Sequence, residues 1–536
     1  MTPDVIQVQH PQLGTVKGCN GDVVSFRGLQ YATLNDRLAD PVLKTRYTNP
    51  LDATTYGPMS PNPPGAFQLE MTLIQRSRPD PDYLTSSETE SLSLNIWVPR
   101  GRDGELLRNL PVFVWVHGGG FVSGSGNLPH YDLTRFVRLS TEQGTPVIGV
   151  TINYRLGLLG LLTSQELRDA GYKPNNQLRD QRVAFQWLRK YISGFGGNPG
   201  SITAAGESTG AVTIGLHLLS DESLFEQAYL TGGSPLLLPV SSPEDHETSY
   251  NTIIRSLGLE STTASERIQA LISIPYDELM AKVSMGLVYR PMLDNDLIKF
   301  PLSHAYVQDS KSNIPGRKWL QSLMIGDSQF DSSSMAIFAA FKKPGISSKF
   351  SESLLSALGT GSAVEELLAA YGFDSDSRDD ETAFRSFLDF SNDIGYFAAT
   401  CSFATGFAPI THTFALNEKN PWNGMFQGEA THVFDVVLLF QNFQEDLPAA
   451  LAQAGKDMAS DAFLFIRGKN PWVTAANGTM VYGPSSSDSD AAKATRRVVA
   501  ERLSPETGRR RAMIDHGSKI GLDKVAAAYN AFMSTP

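Results

Sequence analysis

Five consecutive residues constrain this chain more than any other segment. Gly206-Glu207-Ser208-Thr209-Gly210 spell G-x-S-x-G. The run before them, Ser201 to Ala205, reads as a short buried strand. The run after them, Ala211 to Leu219, has few breakers and reads as a helix. A serine on a sharp strand-to-helix turn needs small neighbours, because the backbone bends hard and the helix packs close to the strand. Gly206 and Gly210 supply that room. Ser208 would project from the turn above the helix N-terminus, which favours developing negative charge. The same pattern could be a turn whose glycines serve packing only, so the rest of the chain must decide.

The flanking pattern is that of an α/β protein. Val23–Phe26 and Leu92–Val98 read as strands. Pro111–Val116 is a continuous apolar run that suits a strand buried on both faces, and Pro146–Ile152 repeats it. Asn176–Ile192 has helical periodicity through Leu178, Val183, Phe185, Trp187, Leu188 and Ile192. Strand, helix, strand, turn and helix in this order predict a mostly parallel sheet with helices on both faces. Beyond about residue 240 the pattern becomes helical. Leu355–Tyr371 and Glu381–Phe390 read as helices, Ser485–Asp490 as a loop and Val525–Met533 as a closing helix. With no internal repeat and no long linker, residues 1–536 read as a single catalytic domain with helical insertions over roughly 240–400.

Composition excludes several function classes. A net charge of −11 argues against a nucleic-acid partner, which needs clustered Lys and Arg. The basic run Arg509-Arg510-Arg511 reads as a solvated helix end. No window approaches about 18 consecutive apolar residues, so no membrane span is expected. Met1–Pro11 is polar and lacks the apolar core of a signal peptide, and Cys19 and Cys401 are the two cysteines. The expectation is a cytoplasmic protein with free thiols. The Asn477-Gly478-Thr479 sequon reads as chance.

A serine hydroxyl needs a base to take its proton, usually a His oriented by a carboxylate. When the elbow carries the nucleophile, acid and base follow it in the chain. Of the late histidines, His432 lies in the Gly-bearing segment Gly428–Asp435 leading into the apolar run Val436–Phe440, where a catalytic base is expected. His412 sits in an alternating stretch and reads as a core or edge residue, and His516 as surface. Two carboxylates follow the apolar run ending at Gly326, namely Asp327 and Asp331, and spacing alone does not separate them. An oxyanion hole needs backbone N–H groups aimed at a developing charge. His117-Gly118-Gly119-Gly120-Phe121 ends the buried strand at Val116 and is the H-G-G-G type of loop that accompanies the elbow in esterases. Its spacing fits neither a P-loop nor a dinucleotide fingerprint.

These segments together resemble the type B carboxylesterase family, which also contains cholinesterases and fungal lipases, and within it a fungal-type member. Phe26–Ala32 is similar to the family's F-x-G-I-P-Y-A segment, with Gln30 in place of Pro. Ser91–Trp97 is similar to C-L-x-L-N-V-W. Asn176 through Ala211 is similar to the signature around the nucleophile. The resemblance implies an α/β-hydrolase fold, a serine carboxylesterase acting on a small-molecule ester through an acyl-enzyme, and no cofactor or metal. It implies Ser208 as nucleophile, His432 as base, Asp331 as the acid and Asp327 as the lesser candidate. Gly119, Gly120 and Thr209 match the oxyanion donors, with Thr209 where the family usually has Ala. The family's first disulfide falls on Ser60 and Ser91, a paired loss that fits an intracellular enzyme. The segment between them has no Trp, which argues against a choline ester. The S-G-S segment after the elbow is Gly232-Gly233-Ser234. An acyltransferase or lactone-forming enzyme with the same triad is the second reading, and a non-catalytic binding protein the third.

Overall fold

The computed structural model describes residues 4–283, 287–337, 344–373, 379–407, 410–485, 494–500 and 508–534. Its centre is a 13-stranded sheet. In spatial order the strands are Val5–His10, Gly14–Cys19, Val23–Gln30, Ser93–Pro99, Ile148–Ile152, Leu110–Val116, Gly197–Glu207, Gln227–Thr231, Ser322–Ser328, Thr411–Leu416, Thr479–Tyr482 and Arg496–Val499, with Leu51–Asp52 paired beside Gly14–Cys19. From Ile148–Ile152 to Thr479–Tyr482 each neighbouring pair is parallel. Antiparallel strands close both ends.

The apolar run Leu110–Val116 shows why the sheet needs two helical layers. Every residue of this strand is buried. Val112, Val114 and Val116 pack into one core with Leu178, Trp187 and Ile214, from the helices Asn176–Tyr191 and Thr209–His217. Phe113 and Trp115 point to the opposite face. They pack with Phe136, Phe440 and Phe463 from Thr134–Glu142, Phe434–Phe440 and Ala449–Ile466. A strand buried on both sides has no reason to alternate in polarity, which is the pattern read in the sequence.

Three sequence expectations change. The stretch 355–371 is two helices, Ile346–Leu358 and Ser362–Ala370, because Gly359 at φ 80° ends the first. The strand expected to end at Gly326 continues to Ser328 and so carries Asp327. The basic run is not a solvated end. Arg510 is 3% exposed and pairs with Asp327 and Asp393, and Arg509 pairs with Asp389 and Asp393, so only Arg511 of the three is exposed. These pairs fasten the helix Gly508–Ile520 against the end of the strand Ser322–Ser328 and the helical stretch that carries Asp389 and Asp393. Past Ser485, the predicted Ser/Asp loop lies outside the described residues. Among the described residues no helix is long and apolar enough to cross a membrane.

Candidate active site

The strand Gly197–Glu207 delivers Ser208 to a turn at φ 55° and ψ −127°, and the helix Thr209–His217 starts at the next residue. A positive φ in a non-glycine residue costs energy and persists only where the surroundings hold it. Two hydrogen bonds do so: the Ser208 N–H donates to Thr231 O at 3.1 Å, and the Ser208 carbonyl accepts from the Val212 N–H at 3.0 Å. The glycines are required by crowding. A Cβ on Gly210 would stand 2.1 Å from Val116 O, and one on Gly206 would stand 2.7 Å from the Gly210 carbonyl carbon.

His432 and Asp331 meet beside this turn. His432 Nδ1 lies 2.9 Å from Asp331 Oδ1, and the other oxygen of Asp331 accepts from the Ser328 N–H at 2.7 Å. The His432 backbone N–H donates to Ser333 Oγ at 3.0 Å. Asp331 is fully buried. A Cβ on Gly232 would meet both Asp331 Oδ1 and the His432 ring at 3.2 Å, so a side chain there would wedge into the pair. That position is where the family's S-G-S segment has its first Ser. Asp327 is not part of this arrangement, since its carboxylate faces Arg510 at 3.0 Å. His412 is a buried strand residue whose Nδ1 faces Val473 O, and His516 pairs with Glu366 on a peripheral helix.

One contact was not foreseen. His432 Nε2 lies 2.8 Å from Glu207 Oε1, on the residue before Ser208. Glu207 is 1% exposed. The signal was in the motif itself, as an acidic residue between a buried strand and a buried helix needs a partner. Burial pushes the Glu207 carboxyl up, and the His432 charge opposes that. Burial pulls His432 down, but the charge of Glu207 and the hydrogen bond to Asp331 outweigh it and hold the ring well above its ordinary value. Asp435 is a further buried carboxyl here. It accepts the Thr231 hydroxyl, and burial with the nearby charges of Glu207 and Asp331 pushes it up to about 7.

The glycine-rich loop folds back on itself through one carbonyl. Gly119 O accepts from the Val122 and Ser123 N–H groups and from Ser123 Oγ. Gly119 and Gly120 adopt φ 109° and 64°, which favour glycine. Among the described residues no acceptor takes the N–H of Gly119, Gly120 or Thr209. The following N–H, of Phe121, donates to Thr209 Oγ1 at 3.3 Å. The hydroxyl of Thr209 therefore ties the loop to the elbow. Among the described residues no cluster of His, Cys, Asp and Glu is arranged to hold a metal ion.

The site combines a serine on a strained elbow, a His–Asp pair, and three N–H groups free to receive an anion. Comparison with known proteins adds to this. The family model described as the carboxylesterase family matches residues 4–461. An acetylcholinesterase from Bungarus fasciatus is 32% identical over 316 residues, covering 53% of this chain and 48% of that protein. A para-nitrobenzyl esterase from Bacillus subtilis is 30% identical over 329 residues, covering 58% and 61%. A fumonisin B1 esterase from Sphingopyxis macrogoltabida is 37% identical over 236 residues, covering 43% and 40%. The chain thus spans about half the length of these curated relatives. A solved PNB esterase superposes with a TM-score of 0.70 at 23% identity, over 96% of this chain and 100% of that one.

Proposed function

Because the chain belongs to the carboxylesterase family and has the α/β-hydrolase fold, we propose that it hydrolyses a small-molecule carboxylic ester through an acyl-enzyme on Ser208. The observation that carries this reading is the convergence at one turn of the strained Ser208 elbow, the His432–Asp331 pair and the unclaimed N–H groups of Gly119, Gly120 and Thr209.

The chemistry follows from those positions. His432 takes the proton from Ser208 Oγ as the oxygen attacks the ester carbonyl. In the reacting complex Nε2 must turn from Glu207 Oε1 to Ser208 Oγ, or be shared between them. Catalytic hydrogen bonds are often looser before substrate binds. The N–H groups of Gly119, Gly120 and Thr209 receive the oxyanion, and each such donor typically lowers the barrier by ~2.7–4 kcal/mol. Asp331 keeps the proton of His432 on Nδ1 and stabilises the charged ring. His432 then protonates the leaving alcohol, and water repeats the sequence on the acyl-enzyme.

The test is turnover of p-nitrophenyl esters from acetate to palmitate by wild type and Ser208→Ala. The expected result is activity in the wild type and its loss in the variant by at least about 10³-fold. Full rates in Ser208→Ala would sink the proposal. Adding competing alcohols and analysing products separates hydrolysis from acyl transfer.

A further inference from the structure

The turn that carries Asp331 and the segment that carries His432 are joined by more than the contact between those two side chains. An aspartate bears its carboxylate on a single methylene, so Asp331 reaches the imidazole only where the two backbones run close together. Three contacts bring them there. The Phe330 N–H donates to Ala430 O at 2.9 Å, Phe330 pairs with Thr431 in an isolated parallel bridge, and the His432 N–H donates to Ser333 Oγ at 3.0 Å. The first two lie before Asp331 and His432 on their segments. The third holds the backbone of His432 itself, and a side chain supplies it.

The base needs that hold because the chain behind it is strained. Val433, the next residue, stands at φ 67°. A β-branched residue in the left-handed region is an outlier that persists only where the surroundings enforce it. On the far side the Val433 carbonyl accepts from the Val436 and Val437 N–H groups at 3.1 and 3.2 Å, at the start of the helix Phe434–Phe440. On the near side the hydroxyl of Ser333 is the hold. Gly232 lends no side chain from the elbow, where a Cβ would already come within 3.2 Å of Asp331 Oδ1.

Ser333 is itself well fixed. It is 2% exposed and opens the short helix Ser333–Ala336. Its N–H donates to Phe330 O at 3.2 Å, and the Ser332 N–H donates to Asn392 Oδ1 at 3.1 Å. We propose that Ser333 is a positioning residue for the base: its hydroxyl sets the distance of the His432 ring from Asp331 and Glu207 by holding the His432 backbone against the turn that carries Asp331. The inference rests on the esterase reading above and adds a residue to the machinery of that site. Ser333 acts through His432 rather than on the substrate.

The test compares wild type, Ser333→Ala and Ser333→Thr across pH, on the p-nitrophenyl ester that the wild type turns over fastest. Loss of the acceptor for a buried N–H should lower kcat about five- to tenfold in Ser333→Ala and leave KM within about twofold. The imidazole is faced by Asp331 on Nδ1, by Glu207 on Nε2 and by the Tyr396 ring at 5.7 Å between centroids, and the buried Asp435 carboxyl responds to its charge. Asp331 and Glu207 both favour the charged ring, so a ring that drifts from them gives up its proton at lower pH. The acid limb of kcat/KM in Ser333→Ala should therefore move to lower pH, a change that lost stability alone does not produce. Ser333→Thr keeps the hydroxyl and should bring kcat and the limb back toward wild type. A Ser333→Ala with an unmoved limb, or a folded Ser333→Thr that behaves like Ser333→Ala, overturns the inference. If Ser333→Ala does not fold, the hydroxyl serves the fold rather than the base, and the inference falls as well. A wild type that turns over no p-nitrophenyl ester would overturn the hydrolase reading itself and the inference with it.

Discussion

His432 Nε2 lies 2.8 Å from Glu207 Oε1, so the residue before the nucleophile reaches across the turn to the candidate base. With Asp331 on Nδ1 at 2.9 Å, the imidazole stands between two carboxylates. Both favour its charged form, and the ring is held well above the ordinary histidine value. Only the neutral ring can accept a proton from Ser208. Activity should therefore rise with pH through the His432 pKa. Glu207→Gln keeps the shape but removes one negative charge, which lowers that pKa. The acid limb of the kcat/KM profile should move to lower pH relative to wild type. An unmoved limb would show that Glu207 does not set the charge of His432.

Asp331 and Asp327 should separate cleanly in their effects. Asp331→Asn leaves the packing, but its single carbonyl oxygen cannot accept from both the Ser328 N–H and His432 Nδ1. With the oxygen kept on Ser328, the NH2 faces His432 and favours the wrong tautomer, so kcat should fall about 10³–10⁴-fold with little change in melting temperature. Asp327→Asn breaks a buried pair with Arg510, whose side chain is 3% exposed. Removing one partner of such a pair costs about 3–5 kcal/mol. Arg510 keeps Asp393, so the lower end, about 3 kcal/mol, is expected. Denaturant unfolding with activity assays on both variants checks this. Equal losses of activity at unchanged stability would contradict it.

The reason these two carboxylates could not be told apart in the sequence lies in the end of one strand. Ser322–Ser328 runs two residues beyond Gly326, which buries Asp327 within the sheet and leaves Asp331 on the turn that meets His432. The elbow and the glycine-rich loop were legible because each depends on local pattern, an apolar run followed by small residues beside a polar one. His432 was singled out by its Gly-bearing segment before an apolar run together with the family resemblance. Glu207, Arg509 and Arg510 were not, because a charged residue reads as solvated until its partner is known. Their partners lie far away in sequence, with Glu207 at His432 and Arg510 at Asp327. The helix expected over 355–371 failed for a local reason, as the weight of Leu and Ala masked the break at Gly359 and Gly361.

Thr209 should matter through its hydroxyl rather than its bulk. Thr209 Oγ1 accepts the Phe121 N–H and so joins the elbow to the loop that carries Gly119 and Gly120. Thr209→Val keeps the size and loses the acceptor, leaving a buried N–H without a partner. The loss of about 1 kcal/mol should lower kcat roughly fivefold with KM little changed. Thr209→Ser should retain nearly the full rate. The same order should appear in the affinity of a trifluoromethyl ketone that mimics the oxyanion. Equal rates for Val and Ser would mean that the bond does not position the loop.

Asp435 should make the fold less stable as pH rises. It is buried beside Glu207 and Asp331, and its pKa is pushed up to about 7 from an ordinary value of 3.8. Between these values the folded chain keeps the proton on Asp435, whereas the unfolded chain has lost it. The folded state therefore binds more protons, and stability falls as pH rises through this window. Above about pH 7 the folded state must carry the charge that burial disfavours. Asn at this position cannot ionise and can still accept the Thr231 hydroxyl through its carbonyl oxygen. The melting temperature of Asp435→Asn relative to wild type should thus rise from pH 5 to about pH 7 and level off above it. A constant difference over that range would mean that Asp435 does not take up its proton in the folded chain.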